Sequence, residues 1–327
     1  MLFRSGNGRS MISRDLANAL PSLVPEEDLF FDEPTDRHTT FRAGGRADLF
    51  VCVRTPDILR NLCLLFKEQD MPFLVIGRGS NLLVSDKGYH GALLSLTGDA
   101  FREIRPEQKR DGSSVLVAGA AATLAELSHR AADFGLAGYV PLSGIPGTIG
   151  GALTMNAGAY GGEMKDVVRR VKALDLDHPD LPELLLENKE MGFGYRTSIA
   201  KNRRLLFLSA ELSADHKEDT KNLKEQMLAL AETRKEKQPL DYPSAGSTFK
   251  RPAGAFAAKL IEEAGCKGMQ VGGAQVSEKH AGFIVNKGSA TATDILTLMR
   301  NVRRKVEAFS GIRLEPEVRL WGGEEPT

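Results

Sequence analysis

Residues 143–162, SGIPGTIGGALTMNAGAYGG, contain the highest density of glycine in the chain. Glycine occupies positions 144, 147, 150, 151, 158, 161 and 162. A structural turn needs far fewer glycines, and backbone without Cβ atoms can lie flat against a large ligand. Ser143, Thr148 and Asn156 add side chains that can form hydrogen bonds with such a ligand. The stretch therefore predicts a binding surface.

A second glycine segment, GRGSN at 77–81, directly follows an apolar run at 73–77. Glycine at such a place lets successive backbone N–H groups approach a phosphate. Taken alone, an ordinary tight turn after a strand is the commoner explanation. Neither the G-x-G-x-x-G of Rossmann domains nor the G-x-x-x-x-G-K-[ST] of P-loops occurs in the sequence. A dinucleotide, if bound, is expected to be held in another way.

Periodicity and capping residues predict a small β-α-β unit before the second glycine segment. Strands are predicted at 48–53 and 73–77, and Thr-Pro-Asp at 55–57 is typical of the first turn of a helix between them. The buried face of that helix is expected to contain Ile58, Leu62, Leu65 and Phe66.

A second unit and a third block follow. A strand at 114–120 precedes a helix at 123–134, which is opened by a capping box and closed by glycine. The charged run 215–237, with leucines at 223, 228 and 230, predicts an amphipathic helix that leaves the second unit. The third block is predicted to hold helices at about 254–264 and 293–309 and a strand at 312–320.

Composition excludes several classes of protein. The 327 residues include 43 basic and 43 acidic side chains, so no global field draws the chain to nucleic acid or to an anionic membrane. The three cysteines, at 52, 63 and 266, lack the spacing of a zinc site or a disulfide framework. No apolar run approaches the roughly 20 residues of a spanning helix, and the first residues lack a secretory signal. We expect a cytoplasmic protein.

Six segments, in order along the chain, are together similar to those of the UDP-N-acetylenolpyruvoylglucosamine reductase family, which has the vanillyl-alcohol-oxidase-like FAD fold. They are TFRAGG at 40–45, GRGSNLL at 77–83, IPGTIGG at 145–151, FGYR at 193–196, PSAGS at 243–247 and LEPEVR at 314–319. The short stretch between FGYR and PSAGS leaves little room for the tyrosine-bearing loop of the first subclass, so the chain resembles the second. Where first-subclass members have asparagine in a K-N-P context, this chain has Arg251.

The resemblance implies an α+β fold: a two-lobed FAD-binding domain of the vanillyl-alcohol-oxidase (PCMH) type, followed by a smaller α+β substrate-binding domain. We place the FAD-binding domain at 38–212, with lobes at about 38–98 and 99–212. The substrate-binding domain is placed at 213–327, and its last residues can return to the FAD lobe. Residues 1–37, with mixed charge and a short helical pattern, are expected to form a loosely attached arm.

The resemblance also implies a reaction. NADPH reduces FAD, and hydride then passes from flavin N5 to C3 of UDP-N-acetyl-3-O-(1-carboxyvinyl)-glucosamine, giving the peptidoglycan precursor UDP-N-acetylmuramate. Ser247 would donate the proton to C2, and it lacks the G-x-S-x-G context of a hydrolase nucleophile. Arg196 would hold the substrate carboxylate with its planar fork. Glu317 is expected to be protonated or to share a proton with the substrate, since burial and a neighbouring carboxylate raise a carboxyl pKa.

Further binding residues are expected by the same resemblance. The FAD contacts are Gly77, Arg78, Gly79, Ser80, Asn81, Ser143, Gly144, Ile145, Pro146, Gly147, Thr148, Ile149, Gly150 and Asn156, and the substrate contacts are Tyr195, Lys237 and Arg319. Arg234, like Lys237, ends the long predicted helix and can face phosphates or simply favour the helix dipole. His280 is expected to be a packed core residue, and no metal is expected. The flavin is expected to be non-covalent, because 77–86 and 143–162 contain neither histidine nor cysteine.

The expected partner is therefore a small UDP-sugar, with no nucleic acid and no membrane, and the protein is expected to be a monomer or a weak homo-oligomer. Because nicotinamide and substrate must each reach N5, ping-pong kinetics are expected. Two alternatives stay open: an FAD oxidase or dehydrogenase of the same fold that acts on an alcohol or sugar, and a flavin-binding regulatory module without turnover.

Overall fold

The structure, a computed structural model, describes residues 12–110, 114–213 and 217–323. The helices are α1 Arg14–Leu23, α2 Pro56–Glu68, α3 Asp99–Arg102, α4 Leu124–Asp133, α5 Ile149–Met155, α6 Met164–Val167, α7 Thr220–Lys237, α8 Ala257–Glu263 and α9 Ala292–Ser310. The strands are β1 Leu29–Pro34, β2 Arg46–Val53, β3 Phe73–Ile76, β4 Leu82–Val84, β5 Tyr89–Leu96, β6 Ile104–Gln108, β7 Ser114–Gly119, β8 Gly158–Ala159, β9 Gly162–Glu163, β10 Val168–Asp175, β11 Glu183–Glu187, β12 Leu205–Ser213, β13 Ser244–Ser247, β14 Gln270–Val271, β15 Ala274–Val276, β16 Phe283–Asn286 and β17 Arg319–Trp321.

The first lobe is a four-stranded sheet in the order β1-β2-β5-β3, with β2, β5 and β3 parallel. Helix α2 begins as predicted, because the Thr55 side chain accepts a hydrogen bond from the Ile58 N–H and proline occupies the first turn. Its buried face is rotated by about one residue from the prediction: Leu59, Leu62, Cys63 and Phe66 are buried, while Ile58 and Leu65 are only partly buried.

The expected loose attachment of the N-terminal arm is wrong for residues 12–37. Strand β1 pairs antiparallel with β2 over Leu29 to Pro34 and becomes the edge strand of the first sheet. Leu16 and Leu20 of α1 are 1% and 0% exposed within the core of this lobe. The two buried leucines and the hydrogen bonds between β1 and β2 stabilise the attachment of residues 12–37. The sparse apolar pattern of this part of the sequence predicted neither the helix packing nor the strand pairing. Residues 1–11 of the arm lie outside the described part of the chain.

The second lobe is a five-stranded antiparallel sheet in the order β11-β10-β12-β7-β6. Helix α4 has the predicted capping box, in which the Thr123 side chain and Glu126 bond each other's backbone N–H groups. A loop at 176–181 connects this lobe to the first: Lys67 Nζ donates to the carbonyl of His178 at 2.9 Å, and Arg60 Nη1 donates to that of Leu181 at 2.8 Å. Leu181 is itself buried in the first lobe's core, so the two lobes form a continuous structure.

The third unit is an antiparallel sheet, β13-β16-β15-β14, covered by α8 and α9. The predicted strand at 312–320 is wrong in extent, because only Arg319 to Trp321 forms a strand. Pro316 has no N–H to donate, and the preceding residues form only an isolated bridge between Pro316 and Phe249. Strand β17 pairs in parallel with β4, so the last described strand lies on the first lobe.

Helix α7 packs on the second lobe, where Leu223 and Met227 are buried against Ala132 and Val140. Leu228, predicted to lie on the apolar face, is 67% exposed, because it is displaced by about 100° per residue from Met227 on the helix surface. The first predicted residues of this helix, 215 and 216, lie outside the described part of the chain. None of the helices within residues 12–110, 114–213 and 217–323 is both long and apolar enough to span a bilayer.

Candidate active site

The two glycine segments lie against each other. A Cβ added to Gly77 would lie 2.5 Å from Thr148 Oγ1, and one added to Gly147 would lie 3.8 Å from Ser80 Oγ. Gly79 has φ +60° and packs against the His38 carbonyl, so a side chain there would be both strained and blocked. The close approach of Thr148 to Gly77 leaves no room for a side chain at 77, whereas the contact at Gly147 is an ordinary one. Both contacts bring the two predicted cofactor segments together.

The 77–81 segment offers donors to a ligand. Across the described residues, the backbone N–H groups of Arg78, Gly79 and Ser80 have no hydrogen-bond partner within the protein. Arg78 is exposed, and the segment opens opposite the 143–148 loop. Successive free N–H groups form an anion-binding nest. These residues therefore fit the diphosphate of a dinucleotide such as FAD.

Several polar groups of the longer stretch are used inside the protein. Ser143 Oγ donates to the Val140 carbonyl at 2.8 Å, and Thr148 Oγ1 caps α5 by accepting from the Gly151 N–H. Asn156 is fully buried at φ 42°, and its amide donates to Gly194 O and Glu163 Oε2 and accepts from the Lys165 N–H. A cofactor contact of Asn156 stays a prediction, and its observed contacts hold the loop.

The remaining predicted cofactor residues form the wall between these groups. The N–H groups of Ile149 and Gly150 donate to the carbonyls of Ala122 and Ala120, at 2.9 and 2.8 Å. The Ile149 side chain is buried in the second lobe's core, Ile145 packs against that core, and Pro146 is exposed. Ile149 and Gly150 therefore shape the loop through its backbone, and their contact with FAD stays a prediction.

Arg234, near the end of α7, lies over Gly144: a Cβ on that glycine would lie 2.7 Å from Arg234 Nη1. Burial lowers the pKa of the guanidinium, and its contacts with Gln238 Oε1 are long, at 3.3 Å. A half-buried cation with weak protein partners at a glycine loop is suited to bind an anion. Lys237, one turn further on, is exposed.

Arg196 and Glu317, predicted to act together, form an ion pair. Arg196 Nε donates to Glu317 Oε1 at 2.6 Å, and Arg196 Nη2 donates to the carbonyl of Gly158 in the glycine-rich stretch at 3.2 Å. Their side chains are only 19% and 14% exposed. Arg196 has φ 55°, a left-handed conformation that is unfavourable by about 1–2 kcal/mol for a residue with a Cβ.

Glu317 is held by its backbone as well. Its N–H donates to the carbonyl of Thr248 at 2.8 Å, and its carbonyl accepts from Asn81 Nδ2 at 3.0 Å. Burial raises the pKa of the Glu317 carboxyl, and the charges of Arg196 and Lys250 oppose that rise. A carboxyl whose pKa is raised in this way can carry a proton closer to neutral pH than an exposed glutamate.

Ser247 is an exposed residue at the end of β13. The next residue, Thr248, is buried, and its carbonyl accepts the Glu317 N–H, so Ser247 lies one residue from a backbone contact of Glu317. Of the three predicted catalytic residues, Arg196 of the second lobe and Glu317 before β17 are in direct contact, whereas the role of Ser247 in the third unit stays a prediction. Sequence reasoning missed the carbonyls of Thr248 and Gly158, because a backbone acceptor leaves no signal in residue type.

Two of the predicted substrate residues, Tyr195 and Arg319, contact segments of this site, whereas Lys237 is exposed at the end of α7. Tyr195 is 48% exposed, and its hydroxyl accepts a hydrogen bond from the Arg251 N–H at 3.0 Å. The Arg251 guanidinium lies over the Phe256 ring, 4.6 Å from its centroid. Arg319 begins β17, and its N–H donates to the Asn81 carbonyl.

His280 lies within the third unit. It is half-buried, its Nδ1 accepts from the Gly282 N–H at 3.2 Å, and it packs edge-on against Phe283. Burial lowers the pKa of its ring. Within the described part of the chain, no group of three or more His, Cys, Asp or Glu side chains is arranged for a metal ion.

Comparison with known proteins agrees with this geometry. Residues 47–177 match the family described as FAD binding domain, and residues 238–321 match the C-terminal domain of UDP-N-acetylenolpyruvoylglucosamine reductase. The reductase of that name from Caldanaerobacter subterraneus is 44% identical over 307 residues, covering 94% of this chain and 98% of the relative. The one from Clostridioides difficile is 44% identical over 312 residues, covering 95% and 99%.

A solved structure extends the similarity to three dimensions. The crystal structure of the reductase from Thermus caldophilus superposes with a TM-score of 0.73 at 33% identity, covering 90% of this chain and 98% of that one. The predicted fold class, an α+β chain with a two-lobed FAD-binding domain and a smaller α+β domain, is confirmed. So is the prediction of an FAD-dependent oxidoreductase. The chain therefore belongs to the UDP-N-acetylenolpyruvoylglucosamine reductase family.

Proposed function

We propose that this protein reduces the enolpyruvyl ether of UDP-N-acetylglucosamine to UDP-N-acetylmuramate, with NADPH as the reductant, in peptidoglycan precursor synthesis. The observation that carries the proposal is the set of three hydrogen bonds made by Glu317. Its side chain binds Arg196, its N–H binds the residue after Ser247, and its carbonyl binds the 77–81 segment. Glu317 thus connects the strand of Ser247, the proposed proton donor, with Arg196, the proposed carboxylate-binding cation, and with the cofactor segment at 77–81.

FAD held by the 77–81 and 143–148 segments would supply the hydride for C3 of the enolpyruvyl group, and NADPH would provide the two electrons. Negative charge then develops at C2 and the carboxylate, and groups that stabilise this charge lower the barrier. Arg196 is suited to this role because Nε and Nη2 have protein partners, whereas Nη1 has none among the described residues. The free Nη1 can bind the substrate carboxylate while the rest of the guanidinium stays fixed.

Ser247 donates the proton to C2 in this proposal. Ser247 is exposed at the end of β13, one residue before the carbonyl that accepts the Glu317 N–H, so a substrate can reach it. A hydroxyl is a weak acid, but an enolate is a strong base, so proximity and a short hydrogen bond suffice for transfer. Glu317 orients Arg196 and, in its protonated form, approaches the substrate carboxylate without repulsion.

The wider assignment follows from this reaction. We place substrate contacts at Tyr195, Lys237 and Arg319. The predicted division into 38–212 and 213–327 is changed at two places: residues 12–37 join the first lobe, and α7, which packs on the second lobe, joins the FAD-binding domain. The flavin is non-covalent in this proposal, and the protein acts in the cytoplasm as a monomer or weak homo-oligomer.

A visible absorption spectrum of the purified protein tests the proposal. We expect a flavin spectrum that NADPH bleaches and that the enolpyruvyl substrate restores under anaerobic conditions. Parallel double-reciprocal plots are expected, because both reactants use one pocket in turn. Restoration by an alcohol-derived or sugar-derived carbonyl compound instead would favour an oxidase or dehydrogenase. Bleaching without restoration by any of these compounds would favour a regulatory flavin module.

Arg234 should contribute to FAD binding. Arg234→Gln is expected to weaken FAD binding by about 10- to 100-fold, because hydrogen bonds to charged groups contribute roughly 1.5–3 kcal/mol. Quenching of FAD fluorescence on titration with apoprotein measures this. Lys235→Gln removes the same charge from an exposed neighbouring position and serves as the control. If only the KM for the UDP-sugar rises, Arg234 binds the substrate and its assignment to FAD is wrong.

A further inference from the structure

Asn81 connects the cofactor segment to Glu317. Its side-chain Nδ2 donates to the Glu317 carbonyl at 3.0 Å, and its own carbonyl accepts from the Arg319 N–H at 3.0 Å. Asn81 therefore bonds to two alternate residues of the same extended segment. The two contacts fix both the position of this segment along β4 and its direction.

Packing holds the neighbours of Glu317, because Leu314 and Val318 are buried in the core of the third unit and the Lys250 N–H donates to the Glu315 carbonyl at 2.9 Å. Glu317 itself is held by fewer contacts. Residues 312–315, 317 and 318 have no regular secondary structure, and Pro316 supplies no donor. Besides Asn81, the backbone of Glu317 contacts only the Thr248 carbonyl among the described residues. Loss of the Asn81 amide would therefore leave one of the two backbone hydrogen bonds that position Glu317.

The position of Glu317 matters because the Arg196 contact is short and directional. The 2.6 Å contact joins side chains that come from different units of the fold. A shift of about 1 Å in such an arrangement can lower a rate by roughly a hundredfold. Asn81 also follows the three free N–H groups at 78–80 directly, so a ligand that orders this segment also orders the support of Glu317.

We propose that Asn81 is a positioning residue, which acts through the Glu317 backbone to align the Arg196–Glu317 pair with the bound cofactor. The Asn81 side-chain amide positions the Arg196–Glu317 pair, whereas the backbone N–H groups of residues 78–80 bind the cofactor. This proposal rests on the proposed function for its kinetic consequence, but the contact between Asn81 and the pair is independent of the substrate.

Titration of the Glu317 carboxyl tests the proposal without turnover. In protein labelled with ¹³C at the glutamate carboxyl, the Glu317 signal can be assigned with Glu317→Gln. The charged groups that act on this carboxyl are Arg196 and Lys250, and both lower its pKa. Asn81→Ala is expected to shift the titration of Glu317 to higher pH, because a displaced carboxyl loses its contact with Arg196.

Asn188→Ala is the matched control. The Asn188 amide also donates only to backbone carbonyls, those of Lys165 and Val168 at 2.8 and 2.7 Å, but in the second lobe. Asn188→Ala should leave the Glu317 titration unchanged. Asn81→Ser, which keeps a polar side chain too short to reach Glu317, is the second variant should Asn81→Ala fold poorly. An unshifted Glu317 titration in the folded Asn81 variant overturns the proposal.

Half-reaction rates give a second readout. In Asn81→Ala, restoration of the flavin spectrum by the enolpyruvyl substrate should slow by about 10- to 100-fold. Bleaching of the flavin by NADPH should slow less. Equal slowing of both steps contradicts a role in the Arg196–Glu317 pair. If the wild-type flavin is not restored by the substrate, the proposed function fails, and the titration still decides the role of Asn81.

Discussion

Replacement of Ser247 with alanine should lower the rate of flavin reoxidation by the enolpyruvyl substrate by about 10²- to 10⁴-fold, the range that general acid catalysis contributes. Flavin reduction by NADPH should stay close to the wild-type rate, because that step needs no proton at C2 of the substrate. Anaerobic stopped-flow absorbance in the flavin band measures the two steps separately.

Ser244→Ala is the control for this experiment, because Ser244 begins the same short strand that Ser247 ends. It removes an equivalent hydroxyl from β13 and should leave both rates within a few-fold of wild type. Equal loss of both half-reactions in Ser247→Ala would show that the hydroxyl shapes the pocket and does not donate the proton.

Arg196→Lys should slow reoxidation by the substrate by about 10²- to 10³-fold, the effect of removing one donor from a developing oxyanion. Lysine keeps the charge, but its single ammonium cannot reproduce the planar fork, which bonds Glu317 and Gly158 and leaves Nη1 for the substrate carboxylate. Single-turnover reoxidation at saturating substrate measures the loss. Arg203→Lys, which alters an ion pair with Asp175 of 2.7 Å in the same lobe, is the control.

The pH dependence of the Arg196 variants carries a second expectation. Arg196 lowers the pKa of Glu317, while burial raises it. Arg196→Gln removes the opposing charge, so the pKa of Glu317 should rise and Glu317 should stay protonated to higher pH. In a plot of the reoxidation rate against pH, the change in rate caused by ionisation of Glu317 should therefore occur at higher pH. A profile that keeps its wild-type position would mean that Glu317 does not control the step.

Local features of the fold could be predicted well from the sequence. The capping residue Thr55, the capping box of Thr123 and Glu126, and the strands at 48–53 and 73–77 all appear where predicted. Caps and periodicity depend on residues within about four positions of each other, so residue type alone carries the signal. The predicted strand at 312–320 failed because the partners of that segment lie far away in the chain. The apolar position of Leu228 failed for a local reason, because Leu228 lies about 100° from the buried Met227 on the helix surface.

The sequence by itself determined the kinds of chemistry available: two glycine segments for a dinucleotide, and an arginine, a serine and a glutamate in motifs shared with one reductase family. Only the tertiary structure decided that Arg196 bonds Glu317 across 121 positions and that Asn81 bonds its carbonyl across 236. It also decided that the N-terminal helix and strand complete the first lobe. The physical reason is that such contacts depend on how distant backbone segments pack and pair, and most of their acceptors are carbonyl groups that every residue carries.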